Sequence, residues 1–305
     1  MKFAISIPQL IDEDTFDPAA MRRYLGRAEE LGFAGAWTME QVLGRVPHLG
    51  PLETLSFAAA CTERIRLGCA VFITTLHSPV HLAKSLSTLD QISLGRLDVG
   101  IATGGGNRMF AGFGVDGANF VARFTEGLDL MRALWTEPEV NFKGRFWQLE
   151  GAPMEPKPYQ QPAPPVWFGG SQPAALRRAV RLGDGFFGAG SNTTGQFAQQ
   201  VQIVREEIGR QDRDPAAFPI AKRVYIAVDD DAGRAHDRIA AALKRSYPFR
   251  GDDITLVGVS GTPSDCVAGL QQVADAGAEM IQLNPLFDDA DQMERLAAEV
   301  IPQLA

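Results

Sequence analysis

Cysteine is scarce in this chain: Cys61, Cys69 and Cys266 are an odd number, widely spaced, each in apolar surroundings. That pattern excludes a disulfide framework and predicts buried free thiols in a reducing cytoplasm. Histidine is nearly as rare, and none of His48, His77, His81 and His236 joins Cys, Asp or Glu at metal-ligand spacing, so no metal is expected. Positive charge is also short, 29 Lys and Arg against 37 Asp and Glu for a net charge of -8. Phosphate backbones are held by clustered cations, so a nucleic-acid partner is excluded. No hydrophobic run reaches membrane-spanning length, which argues against a membrane partner. The opening run Met1 to Pro8 is strand-length and too short for a signal-peptide core. The spacing of a dinucleotide-binding loop is absent, and no Ser/His/Asp set can be picked out.

What is present is a regular alternation. With 45% hydrophobic and 22% charged residues the composition is that of a folded protein, and 305 residues fit one eight-unit (β/α) barrel read as a single domain, 1–305. Strands are predicted at Phe3–Ile7, Gly35–Thr38, Leu67–Ile73, Leu97–Ala102, Val166–Phe168, Gly185–Ala189, Ile220–Val228 and Met280–Leu283. Apolar residues on consecutive positions, as in Leu67–Ile73, require cover on both faces, the mark of a parallel sheet. Helices are predicted at Pro18–Leu31, from Pro51, at Pro79–Ile92, Ala122–Trp135, Pro173–Leu182, Gln196–Gly209, Asp231–Ser246, Pro263–Ala276 and Asp291–Leu304. Between the fourth and fifth strands, Val140–Phe142 and Phe146–Leu149 flank Lys143-Gly144-Arg145, which predicts a hairpin insertion, and six prolines in Pro153–Pro165 predict an extended connection. The predicted fold class is α/β, a (β/α)₈ barrel with an insertion after strand 4.

In such barrels the loops that follow the strands form the active face. Those loops hold Glu40, Gln41 and His48; Thr74, Thr75 and His77; Thr103, Gly104, Gly105 and Gly106; Gly169 and Gly170; and Gly188, Ala189, Gly190, Ser191, Asn192 and Thr193. The last group sets small and hydroxyl residues at a helix start, which is either an anion site or a plain helix cap. Three glycines after Thr103 let a planar ring lie against main chain, or make a flexible turn. His77, before Ser78-Pro79, can donate to a bound ring or phosphate, although a lone His is more often a structural hydrogen-bonder. Glu40 is the one acid placed at the pocket, able to exchange protons if desolvated and otherwise a solvated loop carboxylate. An aldolase-type barrel would want a lysine at a strand end, whereas Lys222 opens the seventh strand.

Several stretches in order carry a resemblance: Ala28–Trp37, Arg64–Gly68, His77–Val80 with Leu89–Leu97, Pro156–Pro162, Pro164–Ser171 and Ala179–Gly185. Over nearly the whole chain they resemble the luciferase-like family of flavin- and deazaflavin-dependent oxidoreductases, most closely the coenzyme F420 branch. The resemblance implies a barrel with an isoalloxazine-type ring at its C-terminal face, a homodimer, and a non-proline cis peptide near Ala70-Val71-Phe72 that bulges against the ring. It also implies that the Gly188–Thr194 loop meets the cofactor phosphate with Gly190–Thr193 as donors, that Gly104–Gly106 and the strand-three bulge support the ring, and that Glu40 or Gln41 is a polar contact near the reacting carbon. Two departures stand out. Many relatives carry an Asp-His pair where this chain has Glu40-Gln41, and a carboxylate used after strand four by the sugar-phosphate dehydrogenases is replaced by glycine. The expected activity is F420-dependent hydride transfer to or from a small organic substrate. The alternatives are an FMN-dependent monooxygenase fed by a reductase partner, and a non-catalytic flavin or deazaflavin carrier.

Overall fold

The computed structural model describes residues 1–11, 15–44, 46–104, 110–248 and 250–304. In chain order the elements are β1 (Lys2–Ser6), α1 (Pro18–Glu30), β2 (Gly35–Thr38), α2 (Pro51–Cys61), β3 (Arg66–Ile73), α3 (Pro79–Ile92) and β4 (Leu97–Ala102). They continue with α4 (Phe120–Thr136), β5 (Val140–Lys143), β6 (Gln148–Ala152), β7 (Val166–Gly169), α5 (Pro173–Leu182), β8 (Gly185–Gly188) and α6 (Thr194–Arg210). The run closes with β9 (Ile220–Val228), α7 (Ala232–Ser246), β10 (Gly258–Gly261), α8 (Pro263–Asp275), β11 (Met280–Asn284) and α9 (Asp289–Arg295). All eight strands of the predicted alternation form, and the hairpin β5–β6 is antiparallel, as the Lys143-Gly144-Arg145 turn suggested.

Contacts divide the chain into two compact units, Met1–Pro8 with Asp12–Trp37 and Trp167–Ala305, and Gln9–Ile11 with Thr38–Val166. In the first, parallel pairing runs from β2 to β1, β11, β9, β8 and β7, and β10 adds to β9. Every residue of β9 and β11 is buried, as strands covered on both faces must be. Trp37, Trp167 and Phe187 meet there with ring centroids 4.7–6.1 Å apart, Trp167 edge to face with each of the other two and Trp37 tilted against Phe187. The helices start where chemistry permits: Asp17 accepts from Ala19 N–H ahead of Pro18, and Thr193 and Gln196 form a reciprocal capping box at α6.

In the second unit β3 and β4 pair in parallel. The proline-rich connection is tied to α3 by side chains: Ser87 donates to Pro156 O, Gln91 to Lys157 O, and Asp90 accepts from Gln160. Two bonds within it, Glu155-Pro156 and Gln161-Pro162, are cis.

Three expectations need correction. β10 is additional; four residues with glycine at each end carry too weak a strand pattern to be read in advance. The last helix is not continuous over Asp291–Leu304: α9 passes into a π turn at Leu296–Val300 and a 3₁₀ turn at Ile301–Gln303, because Pro302 cannot donate to the turn before it. Cys69 and Cys266 are buried free thiols, Cys266 pushed up to about 12 by burial, while Cys61 is only half-buried.

Candidate active site

The Thr38–Val166 unit carries the loops after β2, β3 and β4. β3 does not run straight: the Ala70-Val71 peptide is cis, and its register against β4 slips between Cys69 and Phe72. Gly100 of β4 makes room for this detour, since a Cβ there would lie 2.0 Å from the Cys69 carbonyl oxygen. Ala70 and Val71 are half-buried and Phe72 is fully buried. Beyond β4, Gly104 has φ +75°, and a Cβ on it would sit 2.6 Å from Ile73. Thr75, just after β3, donates to Thr103 O at 2.7 Å and so ties the two loops together. Gly105 and Gly106 lie outside the described residues.

Glu40 is not a solvated carboxylate. Its side chain is 2% exposed. Oε2 accepts from Ile73 N–H at 2.6 Å and Oε1 faces His77 Nε2 at 2.7 Å. The acid after β2 thus holds the end of the β3 bulge and the histidine that follows it. His77 packs edge-on to Phe72, centroids 6.5 Å apart, and keeps its side chain 24% exposed. Gln41 does not join this pair; its amide folds onto Gly44, where an added Cβ would overlap it. His48 is spent on Leu49 O, close to a bridge with Leu10. The Thr74 hydroxyl is buried without a hydrogen-bond partner among the described residues.

In the unit holding Trp167–Ala305, Gly169 and Gly170 end β7, and Ser171 reaches Asn192 across 3.4 Å. The loop Gly188–Thr193 is both a cap and a source of free amides. Thr193 N–H donates to Gln196 Oε1, and Asn192 N–H turns back to Ala189 O, so those two expected donors are occupied. Gly190 and Ser191 N–H have no acceptor among the described residues, and the first-turn amides of Thr194 and Gly195 open α6. Gly190 is held tightly: a Cβ would fall 2.8 Å from the Tyr225 ring and 2.9 Å from Arg223 Nε.

Sequence order concealed the group under this loop. Lys222 opens β9, yet in the sheet it pairs with Gly188, the last residue of β8, which sets it level with the carboxyl end of that strand. Lys222 is 2% exposed, and its ammonium donates to Ala189 O at 2.7 Å, Asn192 O at 3.0 Å and Arg223 O at 3.3 Å. It also lies over the Phe197 ring. Burial, and after it the neighbouring Arg223, pushes this amine down to about 7. Among the described residues its hydrogen bonds all go to main chain, the signature of a brace rather than a Schiff-base nucleophile. Among the described residues no group of three or more His, Cys, Asp or Glu side chains is arranged to hold a metal ion. No helix in them is long and apolar enough to cross a membrane.

Parallel strands alternating with helices along the whole chain make this a (β/α)₈ barrel, with glycine-bearing loops following its strands. The luciferase-like monooxygenase family model matches residues 1–255, and the chain belongs to that family. It is 31% identical to an F420-dependent glucose-6-phosphate dehydrogenase of Amycolatopsis mediterranei, over 95% of this chain and 96% of that one. Its fold is similar to that of the monooxygenase RslO1 from Streptomyces bottropensis, with a TM-score of 0.86, 26% identity and 100% of both chains covered. It is also similar in fold to an F420-dependent secondary alcohol dehydrogenase in complex with an F420-acetone adduct, with a TM-score of 0.85, 17% identity and 100% and 99% of the chains covered.

Proposed function

We infer that this protein is an F420-dependent oxidoreductase that moves a hydride between the deazaflavin and a small organic molecule. The observation that carries the reading is 31% identity, over 95% of the chain, with a dehydrogenase that uses that cofactor. The local geometry fits such a group. The β3 bulge at Ala70, Val71 and Phe72, with Gly104 beyond it, offers main chain to a flat ring, and the orphan Thr74 hydroxyl is a polar contact for its edge. The amides of Gly190, Ser191, Thr194 and Gly195 suit a phosphate, with Gly169, Gly170, Gly188, Ala189, Asn192 and Thr193 shaping the loops around them. When bound, the deazaflavin supplies hydride chemistry at its C5 carbon. The chain's own share is to fix the ring, exclude water and handle protons.

Glucose 6-phosphate is not the proposed substrate, because glycine replaces the carboxylate that the resemblance assigns to sugar-phosphate oxidation. We propose a homodimer in the cytoplasm, the first on the family resemblance and the second on three free cysteines. A second reading is kept by the 26% identity with a monooxygenase over both full chains: reduced FMN from a reductase partner, with oxygen as co-substrate.

Titration of the purified chain with F420 and with FMN, followed by fluorescence, separates the readings. Saturable F420 binding with slow reaction toward oxygen is the expected result. FMN binding with oxygen uptake would replace it by the second reading, and indifference to both at millimolar concentration would overturn it. Size-exclusion chromatography with light scattering tests the dimer.

A further inference from the structure

His77 is positioned for proton transfer. Glu40 Oε1 faces its Nε2, and because a carboxylate only accepts, the imidazole must donate there. That fixes the roles of the two ring nitrogens: in the neutral ring Nε2 carries the hydrogen and Nδ1 offers a lone pair, and in the cation Nδ1 carries a proton as well. Nδ1 has no hydrogen-bond partner among the described residues, and the side chain is 24% exposed. Glu40 cannot swing away, since Ile73 N–H holds its other oxygen at 2.6 Å. A carboxylate locked by main chain orients a histidine whose outer nitrogen is left for a ligand. Gln41, at the position where many relatives carry histidine, turns to Gly44 and has no ionisable proton to give.

We propose that His77 is the catalytic acid and base of this protein, with Glu40 as its positioning residue, and that its partner is the oxygen of a carbonyl or alcohol substrate. This rests on the oxidoreductase reading above. In the reducing direction a carbonyl carbon takes the hydride from reduced deazaflavin, the π electrons move onto oxygen, and that oxygen takes the Nδ1 proton of the imidazolium. The carbonyl is reduced to an alcohol and the deazaflavin is oxidised. The imidazole is left neutral with Nε2–H still on Glu40, and water restores its proton. In the oxidising direction the Nδ1 lone pair takes the hydroxyl proton as hydride leaves carbon.

One test needs no cofactor. Long-range ¹H–¹⁵N spectra of the free protein should find His77 protonated at Nε2. In Glu40→Gln, Ile73 N–H keeps the amide oxygen, the NH₂ turns to the ring, and the neutral imidazole should switch to the Nδ1–H tautomer. A bare Nε2 in the wild type, or an unchanged tautomer in Glu40→Gln, would overturn the pairing. The second test follows oxidation of reduced F420 by a panel of small ketones and aldehydes. His77→Ala should lose on the order of 100- to 10,000-fold in turnover with F420 affinity unchanged, and added imidazole should restore part of it. Turnover within a few-fold of wild type in His77→Ala, or no carbonyl reduced by a wild type that binds F420, sinks the proposal and leaves the cofactor assignment standing. A wild type that ignores F420 removes the assignment instead, and the tautomer then still decides the pairing.

Discussion

The Lys222 ammonium lies 2.7 Å from the carbonyl oxygen of Ala189 and 3.0 Å from that of Asn192, so one buried cation draws both carbonyls of the β8–α6 loop inward. Its amine is pushed down to about 7, whereas the unfolded chain titrates it near the usual lysine value of about 10.4. Between those two values the unfolded state holds the extra proton, so this group makes stability rise with pH. Lys222→Met should lose that contribution. Urea unfolding of wild type and variant from about pH 7 to about pH 9.5 should show the wild type gaining relative to Lys222→Met, and parallel curves would contradict the assignment.

Gly190→Ala should weaken F420 binding by about tenfold or more, because the new methyl must displace Tyr225 or Arg223 and with them the loop amides. The phosphate-free deazaflavin chromophore should bind wild type and variant alike. Equal losses for both ligands would mean that the loop does not meet the phosphate.

Gly100→Ala places a methyl against the Cys69 carbonyl, a main-chain atom that cannot rotate away. The expected cost is about 3 kcal/mol or more, at the upper end of overpacking. A thermal midpoint unchanged from wild type would mean that β3 takes another path.

Arg96 uses its whole fork: Ser93 O, the Thr62 hydroxyl, Ile65 O, Ala59 O and Thr62 O accept from it at 2.8–3.1 Å. Lysine has three donors to offer in place of five, so Arg96→Lys strands at least two acceptors. A loss of about 2–4 kcal/mol is expected at unchanged m-value, read from the urea midpoint.

The alternation of strands and helices was legible because buried parallel strands advertise themselves as consecutive apolar residues, and because Asp17-Pro18, Ser78-Pro79 and Thr262-Pro263 mark helix starts. The site was only half legible. Glu40 and His77 are 37 positions apart, and nothing in either neighbourhood announces that they touch. Lys222 does open its strand as read, but sequence order says nothing of register, and pairing with Gly188 is what brings it to the loop. Gly100 did leave a signal, a glycine inside an otherwise apolar strand, which is the usual trace of a close main-chain approach. The loop's position makes Thr193 N–H a candidate ligand donor, but the glutamine three residues on claims that amide, a pattern readable as a capping box.

Gln292 of α9 donates to Val228 O at 2.9 Å and accepts from Val228 N–H at 2.8 Å, so its carboxamide mimics one residue of a neighbouring strand. A truncation before Asp289 would strand both of those buried groups at once, at about 1–3 kcal/mol each. Helix α9 is therefore a structural keystone of β9, and any engineered cut or insertion should leave Asp289–Arg295 intact.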